Sequence, residues 1–479
     1  MAWSLAERGV RVALVERATF PREKVCGDFV EPAGLRILAH MGCTELLAPE
    51  ARLPITRNRV YFGPRLAYHG EIPYYQGGAG LPSHGYIIPR EELDTALLGR
   101  AEAASTCVRQ GCAAVGLSRE DGVMRLAVRE GDAGRVSTLT ARLVIGADGT
   151  ESVIARATGL ARKDRRHISI SQRVYVEGVS VQGGEAAVWF DEDLYPGYGW
   201  MFPMPGGRAN VGVGILSESC DRFGLSVPRT LAESIERLSI RHPGCADIRV
   251  ASRPIGGVVK MYGGVGRNHF DGGLLIGDAG SFVDPMTGEG ITQGMESAML
   301  GARTVLSALE AGRFDAAWLS AYEREFRAYF NPSMRYLELC AAIMRNRHFR
   351  EFWLRSTLRG FERAQTDREF GRIAGAAFGG LDLQPGAAMG QIWTGVLAYG
   401  AESAARMVAD LAAGRGPTGD GLMGDLAAWE RGWRASVTDD PAWHWSWIAD
   451  VVAAAARSLP SVALSAESPR VKGPLAVAS

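Results

Sequence analysis

The 479-residue sequence predicts an α/β chain: a parallel-sheet unit, interrupted by an antiparallel sheet and followed by a helical region. Three observations predict it. In Gly272 to Ala298 the apolar run Leu274-Leu275-Ile276 is short enough for a buried strand and stops at Gly277-Asp278. A loop with Pro285, Gly288 and Gly290 follows, then a helix whose apolar stripe runs Ile291, Met295, Ala298, Met299, Ala302, Val305, Leu306, Leu309. Second, Val10 to Glu16 reads as a buried parallel strand ending in an acid. Third, His167 to Leu216 alternates apolar and polar residues, the pattern of half-buried strands. A strand, an acid at its end, a glycine-rich turn and a helix N-terminus is the layout that receives a phosphorylated or anionic cofactor. Asp278 is placed to accept hydrogen bonds from sugar-like hydroxyls, and the amides from Gly288 to Ile291 to face negative charge. An ordinary buried strand-turn-helix gives the same pattern.

Composition narrows the classes. Lys+Arg and Asp+Glu both number 53, a net charge of zero that argues against nucleic acid as a main partner. No run of about 18 apolar residues predicts a membrane span. The start, MAWSLAERGVRVALVER, lacks a basic region ahead of an apolar core, so no signal peptide is predicted. Seven scattered cysteines without a CxxC predict neither a disulfide framework nor a structural zinc, so no metal site is expected and a reducing cytoplasm fits.

Taken in order, Met1 to Gly9 reads as the end of a helix with Gly9 as its cap. In dinucleotide-binding units the acid at the end of the second strand grips a ribose about 20 residues after the glycine fingerprint. Counting back from Glu16 lands before Met1, so the first strand and its Gly-x-Gly-x-x-Gly turn are expected to be missing by truncation. Pro32 to Met41 reads as a helix, and Tyr61 to Tyr75 as strands of a second layer. Gly111 to Leu143 reads as a small hairpin set, and Leu143 to Ile145 as a buried strand. Tyr198, Trp200 and Phe202 share one strand face and make an aromatic wall, or else an aromatic sheet core. Leu231 to Ile240 is a helix, and Ile248 to Lys260 leads back into the first unit. Helices are then expected at Phe314 to Arg327, Met334 to Arg347, Glu351 to Arg363 and Ile392 to Ala413, with Gly375 to Gly390 breaking regularity. The Trp-dense segment Pro441 to Trp447 either caps a cavity or packs helices together.

The motif Gly277-Asp278-Ala279, Asp284-Pro285, Gly288-Glu289-Gly290-Ile291 resembles the GD motif of FAD-dependent oxidoreductases of the hydroxylase and geranylgeranyl reductase superfamily. Tyr198-x-Trp200-x-Phe202-Pro203 resembles the YxWxFP signature of geranylgeranyl reductases; the halogenase Trp-x-Trp-x-Ile-Pro differs at Tyr198 and Phe202. Gly146-Ala147-Asp148-Gly149 followed by Ser152 and Arg156 resembles the family's DG motif, and Arg90, Leu93 and Leu97 its Arg-x-x-Leu segment. Cys26-Gly27-Asp28, after Arg22 and Lys24, is similar to the loop beside the flavin in the reductase branch. The resemblance covers roughly residues 1 to 310 and implies a Rossmann-like FAD-binding domain lacking its first strand and GxGxxG, an antiparallel substrate-binding sheet and a helical C-terminal region.

It further implies FAD-binding roles for Glu16, Arg17, Cys26, Gly27, Arg90, Asp148, Gly149, Asp278, Pro285, Gly288, Gly290 and Ile291. Tyr198, Trp200 and Phe202 would bind substrate, with Cys26 or Tyr198 as the catalytic acid; Cys26 equally reads as a small buried residue, and Arg90 as a surface residue opening its helix. The expected division is 1–60, 86–165 and 251–312 for FAD, 61–85 and 166–250 for substrate, 313–458 helical and 459–479 a disordered tail. The activity implied is reduction of carbon–carbon double bonds of an isoprenoid or polyene-type apolar small molecule, with NAD(P)H or a reduced carrier protein as electron donor. A flavin monooxygenase and a non-redox, flavin-scaffolded cyclase are the alternatives. A prenyl-lipid substrate is compatible with peripheral membrane contact.

Overall fold

The computed structural model describes all residues except 73–81, 132–133, 163, 182, 369, 372–404, 406–407, 411, 414–420 and 466–479. The parallel unit comes as two separate strand pairs. Ala13–Val15 runs parallel to Cys107–Arg109, and Val144–Gly146 parallel to Gly273–Leu275, which also pairs with His269–Phe270. Among the described residues each of Ala13–Val15 and Val144–Gly146 has a ladder partner on one side only, and residues of both border one large cavity. The strand expected over Val10 to Glu16 is therefore shorter. Val10 and Val12 instead pack on the core that joins Leu274 to the helices Ile291–Ala311 and Ala316–Met344. The hairpin set of Gly111 to Leu143 is a three-stranded antiparallel sheet.

The second unit is an eight-stranded sheet in the order Arg249–Val250, Ile168–Glu177, Arg208–Leu216, Tyr198–Met204, Glu185–Phe190, Arg57–Phe62, Arg65–Glu71, with Ile255–Lys260 also on Ile168–Glu177. Two boundaries need correction. The sheet begins at Arg57, before 61, and takes in Ile255–Lys260, which local pattern assigns to the first unit. The sheet is also not wholly antiparallel: Glu185–Phe190 runs parallel to Arg57–Phe62. The long connection between these two strands passes through the first unit, the kind of crossover a parallel pair requires.

Alternation divides the sheet's faces. Trp189, Met201, Val211, Val213 and Ile215 are buried against the helix Val227–Arg241, in one cluster with Leu231 and Leu238. Tyr198, Trp200 and Phe202 point the other way, into the cavity. Asp148 to Ser152 leads into the short helix Val153–Ala157, with Ser152 as N-cap and Arg156 on the helix as expected.

The helical region differs from expectation in one respect. A single helix, Ala316–Met344, runs through Pro332, where local pattern predicts two. Proline removes one backbone donor, but Phe326, Phe330, Met334 and Leu337 continue one buried stripe across it, so packing outweighs the lost bond. The helices Arg350–Thr366, Leu422–Asp439 and Pro441–Ser465 follow. In the last, Trp447 stacks on Phe349 at 5.2 Å and donates from Nε1 to the Ala342 carbonyl at 2.8 Å, while Trp443, Trp445 and Trp447 do not border the cavity. The tryptophan segment packs helices together. The expected tail starts late, since this helix reaches Ser465; residues 466–479, Tyr74 and Tyr75, and the expected Gly375–Gly390 break lie outside the described residues, as does nearly all of Ile392–Ala413. Among the described residues no helix is long and apolar enough to cross a membrane.

Gly199 shows how tightly the sheet packs on its helix side. A Cβ there would lie 2.1 Å from the ring of Trp189, which is fully buried and has no room to shift. Gly199→Ala is expected to lower the unfolding free energy by about 1–3 kcal/mol, measured by guanidinium denaturation; an unchanged midpoint would contradict the packing described.

Candidate active site

A cavity of about 2850 Å³ lies between the parallel pairs, the eight-stranded sheet and the C-terminal helices. All of Glu16, Arg17, Cys26, Gly27, Arg90, Asp148, Gly149, Tyr198, Trp200, Phe202, Asp278, Pro285, Gly288, Gly290 and Ile291 line it. Met344, Leu354 and Phe361 close it from the helical region, near Phe62 and Phe190 of the sheet.

The N-terminus of the 21-residue helix Ile291–Ala311 borders this cavity, and the N-cap Gly290 supplies no side-chain cap. The first amides of an uncapped helix have no intrahelical acceptor and carry the positive end of the dipole. The loop before it is fixed by Asp284, a buried residue whose Oδ1 accepts from the amides of Met286 (2.7 Å) and Thr287 (2.9 Å). The Asp284 amide donates to the Glu289 carbonyl at 2.8 Å, and the Gly288 amide to the Asp284 carbonyl at 3.0 Å. Gly288 sits at φ +71°, where a side chain would be strained. Gly277 and Gly294 let the strand end approach the helix, and Gly277 donates its amide to Ser297 Oγ at 3.0 Å. Asp278 follows, its Oδ2 taking the Lys24 ammonium at 3.2 Å in a half-exposed pair.

The aromatic wall forms as the two-residue period requires. Ring centroids lie 6.0 Å apart for Tyr198 and Trp200, and 6.3 Å for Trp200 and Phe202; Phe29 extends the row 5.6 Å from Phe202. A Cβ on Gly27 would sit 3.1 Å from Phe202, so the Cys26-Gly27 turn rests directly on the wall. The Tyr198 hydroxyl donates to the Thr287 carbonyl, tying the wall to the loop. Burial, then Glu289 and Asp284, push its phenol well above the usual range. Burial likewise raises the Cys26 thiol, against the opposing pull of Arg90.

Other expected residues are partly committed. Asp148 caps its own helix, accepting from Ser152 Oγ and from the Val153 amide (2.7 Å). Arg90 is bidentate to Asp94, Nε to Oδ1 at 2.9 Å and Nη2 to Oδ2 at 2.8 Å, and Arg22 reaches the same carboxylate at 2.8 Å. Glu16 Oε1 accepts from the Ala18 amide at 2.9 Å.

Two groups are not singled out by sequence reasoning, although Asp28 and Glu289 lie inside its motifs. The first is centred on Asp28, fully buried at φ +62°. Its Oδ2 accepts from the Tyr175 hydroxyl (2.7 Å) and from Asn210 Nδ2 (2.8 Å). Asn210 also donates to the Cys26 carbonyl (2.9 Å) and accepts from Trp200 Nε1 (3.0 Å), so one amide joins the loop to the wall. The guanidinium of Arg173 covers the Tyr175 ring at 4.1 Å. Burial raises the Asp28 carboxyl to about 6, although these hydrogen bonds favour the anion. The second is the carboxyl pair Glu31 and Glu289, on the helix side of the wall; burial and mutual repulsion hold Glu31 well up, and burial raises Glu289 to about 7. Their faint traces in the sequence are Asp28 after Cys26-Gly27 and Glu289 between two glycines.

Asn210→Ala strands partners of Asp28, Trp200 and Cys26 at once. It is expected to cost about 3 kcal/mol of stability by chemical denaturation, at the upper end for an unsatisfied buried group. The Asp28 carboxyl binds its proton more tightly folded (about 6) than at its ordinary 3.8. Its contribution therefore falls as pH rises from about 4 to about 6; that decline should be absent in Asp28→Asn, measured by denaturation midpoints across this range.

Comparison with known proteins gives the family and the fold. The family model described as "FAD binding domain" matches residues 1–334. A digeranylgeranylglycerophospholipid reductase of Methanothermobacter thermautotrophicus is 31% identical over 68% of this chain and 79% of its own length. A menaquinone reductase of Mycobacterium tuberculosis is 30% identical over 68% of this chain and 78% of its own. The crystal structure of a geranylgeranyl bacteriochlorophyll reductase-like protein from Thermoplasma acidophilum superposes with a TM-score of 0.63 at 22% identity, covering 78% of this chain and 92% of that one. The chain belongs to the FAD-binding family and is an FAD-dependent oxidoreductase related to geranylgeranyl-lipid and menaquinone reductases.

Proposed function

From this membership we propose that the chain reduces a carbon–carbon double bond of a long apolar, isoprenoid-type substrate held between its aromatic wall and bound FAD. The observation that carries the reading is the wall of Tyr198, Trp200 and Phe202 facing the same cavity as the uncapped N-terminus of Ile291–Ala311.

The residues fit the flavin end of FAD. Asp278, at the end of strand Gly273–Leu275, is the acceptor for ribityl hydroxyls once Lys24 yields or shares it. The amides of Gly290 and Ile291 lack side-chain caps and suit the electron-rich pyrimidine edge. Gly288, Pro285 and Gly149 leave room for a flat ring, because a Cβ at Gly288 or Gly149 would meet only open space. Glu16 and Arg17 border the same cavity and suit the adenosine ribose, and Arg90 and Lys24, paired with Asp94 and Asp278, also line it. When bound and reduced, FAD supplies hydride chemistry.

The chain's own part is positioning and exclusion of water. The rings of Phe29, Tyr198, Trp200 and Phe202 form a continuous apolar face, which favours a polyprenyl chain by burial. Phe62, Phe190, Met344, Leu354 and Phe361 add to the apolar lining of the same cavity. The names of the two similar reductases, one of a digeranylgeranyl lipid and one of menaquinone, support a prenylated substrate class. NAD(P)H or a reduced carrier protein is the proposed donor.

Under strictly anaerobic conditions, reduced FAD-loaded protein is expected to convert a geranylgeranyl lipid or prenylquinone to a product about two mass units heavier, the gain of one hydride and one proton. Mass spectrometry reads the outcome. Product appearing only with oxygen, and carrying label from isotopically heavy dioxygen, would instead make the chain a monooxygenase; turnover without any reductant would make it a cyclase.

A further inference from the structure

Resting on that reading, we infer that Glu31 and Glu289 share a single proton and that Glu289 presents it to the cavity as the acid that protonates the substrate. Glu289 borders the cavity between Gly288 and Gly290, and Glu31 lies buried behind it as the residue preceding the helix Pro32–His40. The two carboxyl groups are hydrogen-bond neighbours. Among the described residues no well-formed hydrogen bond reaches Glu31 Oε1, Glu31 Oε2 or Glu289 Oε2, although the Thr292 hydroxyl lies beside Glu31 and the Thr287 hydroxyl beside Glu289. Two buried carboxylates without such bonds cannot both be ionised; one proton held between them supplies the missing O–H and removes one charge.

One shared proton leaves a net charge of minus one on the pair. From the loop, Asp284 and Thr287 face it; from Ile291–Ala311, Thr292 and Glu296, the latter accepting from the Tyr329 hydroxyl at 2.6 Å; from the sheet, Tyr198. No arginine or lysine is among the groups acting most strongly on the pair. The compensating positive potential comes from two helix N-termini that converge here without side-chain caps, Pro32–His40 and Ile291–Ala311. They are held together where Gly34 meets Thr292: a Cβ on Gly34 would lie 2.7 Å from Thr292 Oγ1. Tyr198 stands beside Glu289 at the end of the wall, so the carboxyl is next to the proposed alkene.

The step balances with the reduced flavin as the two-electron donor. One alkene carbon receives a hydride and the other a proton from Glu289 as the carbon–carbon π bond is lost; water admitted through the cavity returns a proton to the pair as this one leaves, so the two carboxylates are not left ionised together. A carboxyl poised near neutrality is a better matched acid than the Tyr198 phenol or Cys26 thiol, both raised by burial.

The test begins on protein without substrate, carrying ¹³C at the glutamate side-chain carboxyl. One glutamate carboxyl titrating near pH 7, lost in Glu289→Gln and displaced in Glu31→Gln, is expected; all glutamates titrating below pH 5 would overturn the proposal, whatever the wild type reduces. In turnover with a prenyl alkene, Glu289→Gln should lower kcat by about 100-fold or more with KM nearly unchanged, and Glu289→Asp should recover part of the loss. A near-normal kcat in Glu289→Gln would overturn the acid role while leaving alkene reduction intact. A wild type inert toward alkenes would sink the reduction reading instead, and the shared proton then stands or falls on the carboxyl titration. Should Glu289→Gln fail to fold, the wild-type titration and the kcat of Glu31→Gln and Glu289→Asp decide the same two questions.

Discussion

The structure depends on keeping one helix N-terminus open. Ile291–Ala311 presents its first amides, without a side-chain cap, to a cavity bordered by the ends of two parallel strand pairs. An uncapped end costs stability unless something else meets those donors, and the surrounding loop is built to hold it in place rather than to satisfy it. Asp284 spends its side chain on the loop's own amides, Gly277 and Gly294 bring strand and helix into contact, and Ser297 anchors the strand end. That geometry is what an electron-rich ring edge or phosphate would complete.

Acidic groups around the cavity are kept tolerable by two different devices. Asp284 takes hydrogen bonds from backbone amides, and Asp28 takes two on Oδ2, from Tyr175 and Asn210, while its Oδ1 has no partner among the described residues. Among the described residues Glu31 and Glu289 have only the Thr292 and Thr287 hydroxyls beside them, and the proposed shared proton supplies the missing donor. The first device fixes shape, since Asn210 ties Cys26 to Trp200 across the sheet. The second stores a proton beside the aromatic wall.

Local features are legible in the sequence. Asp278, Gly288, Gly290 and Ile291 stand close together, and their spacing announces a strand, turn and helix; Tyr198, Trp200 and Phe202 declare a shared face by alternation. What escapes depends on distant pairs. Asn210 looks like one more polar residue in a strand, because its partners Cys26 and Asp28 lie 184 and 182 residues away. Glu31 carries no local signal, as its partner comes from another helix start. Pro332 misleads in the opposite direction, since the local rule breaks a helix there while the buried stripe from Phe326 to Leu337 holds it together. The sheet's edges at Arg57 and Ile255–Lys260 are misplaced for the same reason: pairing across the chain, not local pattern, assigns a strand to a sheet.

A titration of the purified chain with FAD, following flavin absorbance together with tryptophan fluorescence, probes the shared cavity directly. One equivalent bound, with fluorescence from the Trp200 wall quenched in proportion, is the predicted result, because the helix N-terminus, Asp278 and the wall border a common space. A chain that binds no FAD, or binds it without affecting that fluorescence, would contradict a single cavity joining cofactor to wall.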